Sequence, residues 1–380
     1  MTPTVGIALL GTKFMGKAHS NAWGQAARFF DLPCKPKLAT VVGRNQQELD
    51  AFAERWGWEQ TAPQWQDVVA DDAIAIVDIA TPNDVHAEPA VAALAAGKHV
   101  VCEKPLAGTL ADARRMRDAA VSSSGQSFVW FNYRRCPAIA LAHRMVRDGR
   151  LGRIYHVRAS YLQSWGGPDT PLLWRFQKAH AGSGAHGDLN AHIVDLARFL
   201  TGDEIVEVHG AIEKTFVTER TIPGTDAVGT SDVDDCVSFL ASLAGGATAS
   251  FEATRLAVGH LNRNCIEING ADGSLAFDFE DMNTLRFCDA SDPASERGWR
   301  RIVCTAAEHP YMAAWWPDAH LIGYEHGFTN MAADVLRVLS GAQAEVPLPT
   351  FVDAYETQRV LEAALIAARE RRAVELTEVP

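Results

Sequence analysis

The chain has 380 residues, which is too long for one ordinary domain and comfortable for two. Hydrophobic residues make up 47% of it, enough for sizeable cores. The 35 Lys and Arg residues against 47 Asp and Glu residues give a formal net charge of −12, and no basic block is present, which argues against a nucleic-acid partner.

The first third of the chain alternates apolar strands with amphipathic helices. Near-continuously apolar strands that are separated by helices indicate a parallel sheet covered on both faces. We therefore predict an α/β domain over residues 1–131, built as a doubly wound Rossmann fold. Its strands are predicted at residues 5–10, 38–42, 74–79, 99–102 and 127–131, and its helices near 14–31, 45–56, 64–70, 84–96 and 109–123.

After Pro137 the pattern changes to longer segments in which apolar and polar residues alternate. Such segments, joined by turn-rich pieces, indicate a largely antiparallel sheet. We predict a second, α+β domain over residues 132–380 with a large open, mostly antiparallel sheet, and a loop over 218–233, which is rich in Gly, Thr, Asp and Pro. The strands are predicted at 154–163, 205–216, 236–243, 248–254, 265–268, 274–279 and 285–288, and the helices at 138–148, 183–201, 323–340 and 352–371.

The first predicted strand leads into Gly11-Thr12-Lys13-Phe14-Met15-Gly16, which opens a predicted helix. In a Gly-x-Gly-x-x-Gly fingerprint, Gly11 makes the tight turn, Gly16 lets the helix approach the strand, and a pyrophosphate sits on amides at the helix N-terminus. Lys13 occupies the second glycine position, so its side chain must point away, enlarge the turn or neutralise a phosphate. The ordinary alternative is that the glycines only mark a strand-to-helix turn. The position of the segment favours dinucleotide binding.

The second predicted strand ends at Val41-Val42-Gly43-Arg44, without the acidic residue that an NAD-preferring site often carries there. An arginine suits a 2′-phosphate or the adenine face, although solvated arginines at strand ends are common. The sequence therefore leaves the cofactor as NAD or NADP, and Arg44 favours tolerance of NADP.

Three further segments point to a family. Two of them, Thr81-Pro82-Asn83-Asp84-Val85-His86 and Cys102-Glu103-Lys104-Pro105-Leu106, follow predicted strands, and the third covers residues 182–195, GSGAHGDLNAHIVD. Together with the glycine loop they resemble the Gfo/Idh/MocA family of glucose–fructose oxidoreductases and inositol dehydrogenases. The resemblance covers nearly the whole chain, and the order and separation of the Glu-Lys-Pro segment and the Asp-x-x-x-His helix carry most of it.

The resemblance implies an NAD(P)-dependent oxidoreductase that moves a hydride between the nicotinamide and a secondary hydroxyl or keto carbon of a sugar, anhydrosugar or inositol-like polyol. It also implies that the cofactor is contacted well beyond the glycine loop and Arg44. The further cofactor residues expected are Thr81, Pro82, Asn83, His86, Glu103, Lys104, Asn132 and Arg175.

Lys104, Asp188 and His192 carry side chains that suit the removal of a hydroxyl proton while a hydride leaves the same carbon. Lys104 follows a strand end, where a doubly wound sheet presents its ligand crevice, and its ammonium would stabilise alkoxide character. His192 follows Asp188 by four residues on a predicted helix, so both lie on one face, and it is the candidate general base. Asp188 would orient substrate hydroxyls and tune the other two. The resemblance gives this catalytic trio the same roles. Without the resemblance, a solvated lysine and a local helix pair are the more common explanation of these residues.

Substrate contacts are expected from the trio and from Tyr133, Gln163, Trp165 and Arg175. The segments around these residues resemble family members that act on pyranose rings and glycosides. A sugar offers apolar ring faces and many hydroxyls, which fits Trp and Tyr together with Gln and Arg. The alternative is that Tyr161 and Trp165 are strand residues that pack in the core.

The remaining patterns favour a cytoplasmic protein without a metal. The seven cysteines are scattered with no C-x-x-C pair, and His180, His186 and His192 do not share a helix face. The apolar run at 5–10 is short, lacks a basic leader and enters a glycine, unlike a signal peptide, and no apolar stretch is long enough to span a bilayer.

Two other functions stay open at this point. A redox-assisted glycosidase, also known in the family, would use the same trio, and a non-catalytic, cofactor-sensing regulator would use the same fold. Family members often associate through the open sheet of the second domain, so the resemblance implies a homo-dimer or homo-tetramer.

Overall fold

The computed structural model describes residues 2–380 and divides them into two compact units. The first unit contains the chain up to Arg135 together with Ala314–Trp316 and Ile322–Tyr355. The second contains Cys136–Ala313, Pro317–Leu321 and Glu356–Pro380. The prediction placed one boundary between residues 131 and 132. The observed first unit extends to Arg135 and also takes in a late segment of the chain.

The first unit is built on a parallel sheet, which confirms the predicted Rossmann-like α/β fold. Over residues 2–380 this sheet has six strands in the order β3-β2-β1-β4-β5-β6, and each neighbouring pair is parallel. The strands are β1 (Thr4–Leu10), β2 (Lys35–Val42), β3 (Gln60–Ala62), β4 (Ile76–Ile79), β5 (His99–Cys102) and β6 (Ser127–Val129). The helices between them are α1 (Phe14–Phe29), α2 (Gln46–Trp56), α3 (Trp65–Val69), α4 (Ala87–Ala95) and α5 (Leu110–Ser122).

The second unit contains a large mixed sheet. Its order is β16-β15-β14-β13-β7-β12-β11-β8-β17, and its pairs are antiparallel except for β7 with β12. The strands are β7 (Ile154–Leu162), β8 (Ile205–Lys214), β9 (Glu219–Thr221), β10 (Val228–Thr230), β11 (Cys236–Leu243), β12 (Thr248–Thr254), β13 (Arg263–Gly270), β14 (Gly273–Asp278), β15 (Thr284–Asp289), β16 (Arg300–Val303) and β17 (Val374–Glu375). The later helices are α6 (Pro137–Arg147), α7 (Lys178–Ala181), α8 (Ala191–Thr201), α9 (Tyr324–Leu339) and α10 (Phe351–Glu370).

Helix α9 explains why the late segment joins the first unit. Its buried apolar side chains Phe328, Met331 and Val335 share one core with Trp23 and Ala26 of α1. This apolar contact has the ridge pattern expected of packed helices, with residues spaced three and four apart.

One loop prediction is wrong. Residues 218–233 contain the hairpin of β9 and β10, in which Val228 pairs with Thr221 and Thr230 with Glu219. The composition of the stretch favoured a loop because turn residues outnumber apolar ones, but three ladder positions are enough for a short hairpin. The short strands β3, β16 and β17 also lie outside the predicted set.

No helix within residues 2–380 combines the length and the apolar character that crossing a membrane requires.

Candidate active site

The glycine loop of the first unit has the geometry of a phosphate-binding turn. Gly11 has a φ of +107°, and a Cβ on it would lie 2.6 Å from the carbonyl oxygen of Ala80. A Cβ on Gly16 would lie 2.2 Å from the carbonyl oxygen of Gly11, so only glycine allows α1 to start this close to β1. The first helical hydrogen bond runs from the Lys17 amide to the Lys13 carbonyl, which leaves the preceding amides at the helix N-terminus for an anion.

Lys13 and Arg44 both lie on the surface beside this loop. The Lys13 ammonium donates to the Glu48 carboxylate on α2 at 2.7 Å, so its charge is already matched by an acid. Arg44 is exposed and directly precedes Asn45, whose side chain caps α2 by accepting from the Glu48 amide. The loop therefore tolerates Lys13 by directing its side chain toward α2 rather than into the turn.

The segment after β4 lies next to the loop. Thr81, Pro82 and Asn83 are half-buried, and within residues 2–380 the Thr81 hydroxyl is buried without a hydrogen-bond partner. An enclosed polar atom of this kind fits a bound group that would donate or accept there. His86 is buried, and its ring nitrogens lie 2.9 Å from the Thr81 carbonyl oxygen and 3.2 Å from the Pro105 carbonyl oxygen, so it ties two strand ends together.

Glu103 and Lys104 follow β5 at the same edge of the sheet. Lys104 is half-buried and is joined to Pro105 by a cis peptide bond. Glu103 is buried; one of its carboxylate oxygens accepts from the Lys104 amide at 3.2 Å and the other lies 3.0 Å from Nε2 of His19. Glu103 thus faces the protein interior, and sequence inspection gave no sign of its partner.

His19 lies between two carboxylates in the core of the first unit. Its Nδ1 is 3.1 Å from both carboxylate oxygens of Asp78, which also accept from the indole N–H groups of Trp23 at 2.7 Å and Trp130 at 2.8 Å. Burial lowers the pKa of His19, but the charge of Asp78 and the hydrogen bonds to Asp78 and Glu103 outweigh it and raise that pKa to about 9. His19 is therefore charged at neutral pH.

In the second unit, Asp188 lies on a π-helical turn, His186–Asn190, and His192 on α8, which follows it directly. The single helix predicted from residue 183 therefore begins with a wider turn, a feature often found at functional sites. The Asp234 carboxylate fixes the entry to this turn, because it accepts from the amides of Gly184 and His186 at 2.7 Å each.

Arg255 forms an ion pair with Asp188. It directly follows β12 and donates to the Asp188 carboxylate at 2.7 Å and to the Gly184 carbonyl at 3.2 Å. The Arg255 side chain is 2% exposed, whereas that of Asp188 is 22% exposed, so the carboxylate is held from inside while part of it faces outward. Sequence reasoning missed Arg255, because a lone arginine after a strand carries no local signal.

Aromatic and amide side chains surround this pair and His192. The ring of Tyr161 contacts the ring of His192, and its hydroxyl donates to Asn262 at 2.7 Å. Gln163 donates to the same Asn262 oxygen at 2.7 Å and accepts from the Trp165 indole N–H at 2.6 Å. These side chains form a connected polar chain, and Asn262 is a member that the sequence did not reveal.

The other predicted substrate and cofactor residues have mixed surroundings. Arg175 is half-buried and lies over the ring of Trp174. Asn132 and Tyr133 are buried in a short 3₁₀ turn of the first unit, Asn132–Arg135. Within the described residues, no group of three or more His, Cys, Asp or Glu side chains could hold a metal ion.

Comparison with known proteins matches both units to family models. Residues 5–131 match an oxidoreductase family with an NAD-binding Rossmann fold, and residues 139–276 match the GFO/IDH/MocA C-terminal domain. The levoglucosan dehydrogenase of Pseudarthrobacter phenanthrenivorans is 39% identical over 98% of each chain. A levoglucosan dehydrogenase structure with NADH and levoglucosan superposes with a TM-score of 0.93 at 39% identity, covering 98% of this chain and 99% of that one. The structure of an oxidoreductase domain protein from Kribbella flavida superposes with a TM-score of 0.94 at 49% identity over 100% of both chains.

The charge of His19 predicts a pH-dependent stability. Its pKa in the folded chain is about 9 against 6.5 for the ordinary side chain, so protonation stabilises the fold fully below pH 6.5 and this contribution is lost as pH rises through 9. The shift corresponds to about 3 kcal/mol. Urea unfolding between pH 6.5 and 9.5 should show this loss for the native chain and for the exposed-site variant His156→Gln, but not for His19→Gln. The prediction would be contradicted if the unfolding free energy of the native chain changed with pH no more than that of His19→Gln.

The Arg255–Asp188 pair predicts a stability difference between two arginines. Arg255→Met removes the buried guanidinium that donates to the Asp188 carboxylate and should cost about 3 kcal/mol of unfolding free energy. The matched variant Arg263→Met breaks the half-exposed pair with Asp278 and should cost less than about 1 kcal/mol. Urea unfolding at neutral pH measures both, and equal losses would show that the Arg255 pair is an ordinary surface interaction.

Proposed function

The chain belongs to the Gfo/Idh/MocA family of oxidoreductases, and we propose that it is an NAD-dependent dehydrogenase that oxidises a secondary hydroxyl of a pyranose sugar or anhydrosugar. The observation that carries this proposal is Asp188, held from inside by Arg255 and partly exposed, one helical turn before His192. The similarity to a levoglucosan dehydrogenase with NADH and levoglucosan bound supports the substrate class.

The first unit fits a dinucleotide. The glycine loop would hold the pyrophosphate on the amides at the start of α1, and Thr81 and Asn83 would lie beside it at the neighbouring strand end. When bound, NAD supplies the ring that accepts the hydride. Lys13 is paired with Glu48, which leaves Arg44 as the exposed cation at the end of β2. We propose NAD as the preferred cofactor, with NADP accepted through Arg44.

The side chains of the catalytic trio would divide the proton chemistry. His192 would take the hydroxyl proton on its imidazole, since histidine is the side chain that most often serves as a general base. Lys104 would donate from Nζ to the same substrate oxygen and stabilise the negative charge that develops there. Asp188 would accept from a neighbouring hydroxyl of the substrate and so orient the ring, because Arg255 keeps its carboxylate in one position.

Substrate recognition would come from the polar chain around Trp165. The indole of Trp165 is partly exposed and offers a flat apolar face, while Gln163 and Asn262 offer amide groups beside it. A pyranose ring has an apolar face and a rim of hydroxyls, so it matches a surface of this composition. Arg175 would contribute to the same pocket.

We further propose that the chain works in the cytoplasm as a homo-dimer or homo-tetramer. The seven cysteines are free, as expected of a reducing compartment. One face of the large sheet is uncovered by the second unit's own helices and carries Ile212, 62% exposed, and Leu240, 58% exposed. Exposed apolar side chains on adjacent strands suit contact with a second copy of the chain.

The activity is tested by offering sugars, anhydrosugars and inositols with NAD⁺ and with NADP⁺ and following the reduced-nicotinamide absorbance. We expect turnover of at least one pyranose or anhydrosugar, faster with NAD⁺. Lys104→Met and His192→Asn should lower kcat by about 100-fold or more, because each removes a group that acts on the reacting hydroxyl. Lys37→Met, which removes an exposed lysine paired with Glu59, should leave kcat unchanged.

Two results would replace this proposal with another function. Release of an aglycone without accumulation of reduced nicotinamide would identify a redox-assisted glycosidase. Tight cofactor binding without turnover of any compound offered would identify a cofactor-sensing regulator.

The assembly is tested by light scattering on the eluting protein. The native chain should elute with the mass of two or four copies, and Leu240→Arg should shift it toward one copy, because a charge buried in an apolar interface is costly. Val121→Arg, at an exposed position of α5 in the first unit, should leave the mass unchanged. A native chain with the mass of one copy would contradict the proposed assembly.

A further inference from the structure

The backbone that carries Lys104 is tied to helix α1 by two buried side chains. The Glu103 carboxylate uses one oxygen for the Lys104 amide and the other for Nε2 of His19 on α1. The Glu103 amide donates to the Ile79 carbonyl at 2.8 Å, which fixes the start of this turn to the neighbouring strand. The backbone at Lys104 is therefore held by two hydrogen bonds, one from its own amide and one from the amide of the residue before it.

The position of His19 is itself fixed by its surroundings. Both ring nitrogens face carboxylates, Nδ1 toward Asp78 and Nε2 toward Glu103, and only the doubly protonated ring donates to both. The ring also lies against Trp130 with a centroid distance of 4.3 Å. Rotation of the ring would break charged hydrogen bonds inside the core, so His19 has one arrangement.

Helix α1 connects this arrangement to the glycine loop. His19 follows Gly16 by three residues, and the Ser20 hydroxyl donates to the Gly16 carbonyl at 2.8 Å, so the first turns of α1 form one rigid piece. The helix whose N-terminus would hold the phosphates thus also contacts Glu103, the residue before Lys104.

We propose that His19 is a positioning residue that holds Lys104 through Glu103, in a fixed relation to the glycine loop. The inference rests on the proposed function, because Lys104 is placed there as the residue that acts on the substrate oxygen. Loss of His19 would loosen the turn at Lys104 and reduce the rate of the chemical step, while the glycine loop, which needs only backbone groups, would still bind the dinucleotide.

The test compares His19→Gln with Trp58→Phe in the full chain. Trp58→Phe is the matched control, because it removes a buried hydrogen bond from the indole of Trp58 to Ser20 on the same helix without touching Glu103. Three quantities are measured for each: kcat with the best substrate, the Kd of NADH by fluorescence, and the hydrogen exchange rate of the Lys104 amide.

For His19→Gln we expect kcat to fall by about 100-fold, as misplacement of a reacting group does. The Kd of NADH should change by less than about threefold, because the glycine loop that would bind the dinucleotide keeps its backbone groups in this variant. The Lys104 amide should exchange about fivefold faster or more, because its acceptor is no longer held. Trp58→Phe should show none of these changes.

Unchanged exchange at Lys104 in His19→Gln would overturn the inference, and so would a kcat loss matched by Trp58→Phe. Should His19→Gln fail to fold, Glu103→Gln keeps the side-chain volume and places an amide group against either His19 or the Lys104 amide, with the same results expected. Should the native chain oxidise no sugar, the proposed function fails, and the exchange rate alone then supports or overturns the link from His19 to Lys104.

Discussion

The parallel register of the first sheet is the constraint on which the site depends. Parallel strands end at one edge, and here Leu10 pairs with Ile79, which pairs in turn with Cys102. The residues that follow Ile79 and Cys102 are held by main-chain hydrogen bonds, from the Ala80 amide to the Leu10 carbonyl and from the Glu103 amide to the Ile79 carbonyl, each at 2.8 Å. The glycine loop, the Thr81 segment and Lys104 are far apart in sequence, yet the backbone ladder alone sets them side by side.

Beneath this edge, charged groups are buried at positions where apolar residues would be the usual choice. A buried charge is stable only when it is paired and hydrogen-bonded. His19 is compensated by Asp78 and Glu103, and the excess negative charge is met by two indole N–H groups and the Lys104 amide. Each member depends on the others, because without His19 two carboxylates would face each other in the core. The cluster consequently defines one geometry for the strand ends, which a purely apolar core would not specify.

Local patterns in the sequence were sufficient to predict most strands and helices, but not the contacts that His19 and Arg255 make. The apolar run at 99–102 and the alternation at 236–243 and 248–254 match the observed strands, because burial on one or two faces leaves a direct trace in the sequence. The hairpin of β9 and β10 left no such trace. His19 pairs with a residue 59 positions away and Arg255 with one 67 positions away, so no window of sequence contains either pair. Helix α9 was predicted with nearly correct ends, but its return to the first unit follows from packing against α1.

The His19 cluster and the Arg255–Asp188 pair differ in the exposure of their carboxylates. In the His19 cluster every carboxylate is enclosed, so all of its hydrogen-bonding capacity is used by the protein. In the Arg255 pair the cation is enclosed and the carboxylate of Asp188 remains partly exposed. A carboxylate oxygen that faces outward while its partner is fixed from inside can accept a hydrogen bond from a ligand without any rearrangement of the protein. Under the proposed function, the same chemistry would therefore serve the fold at His19 and substrate recognition at Asp188.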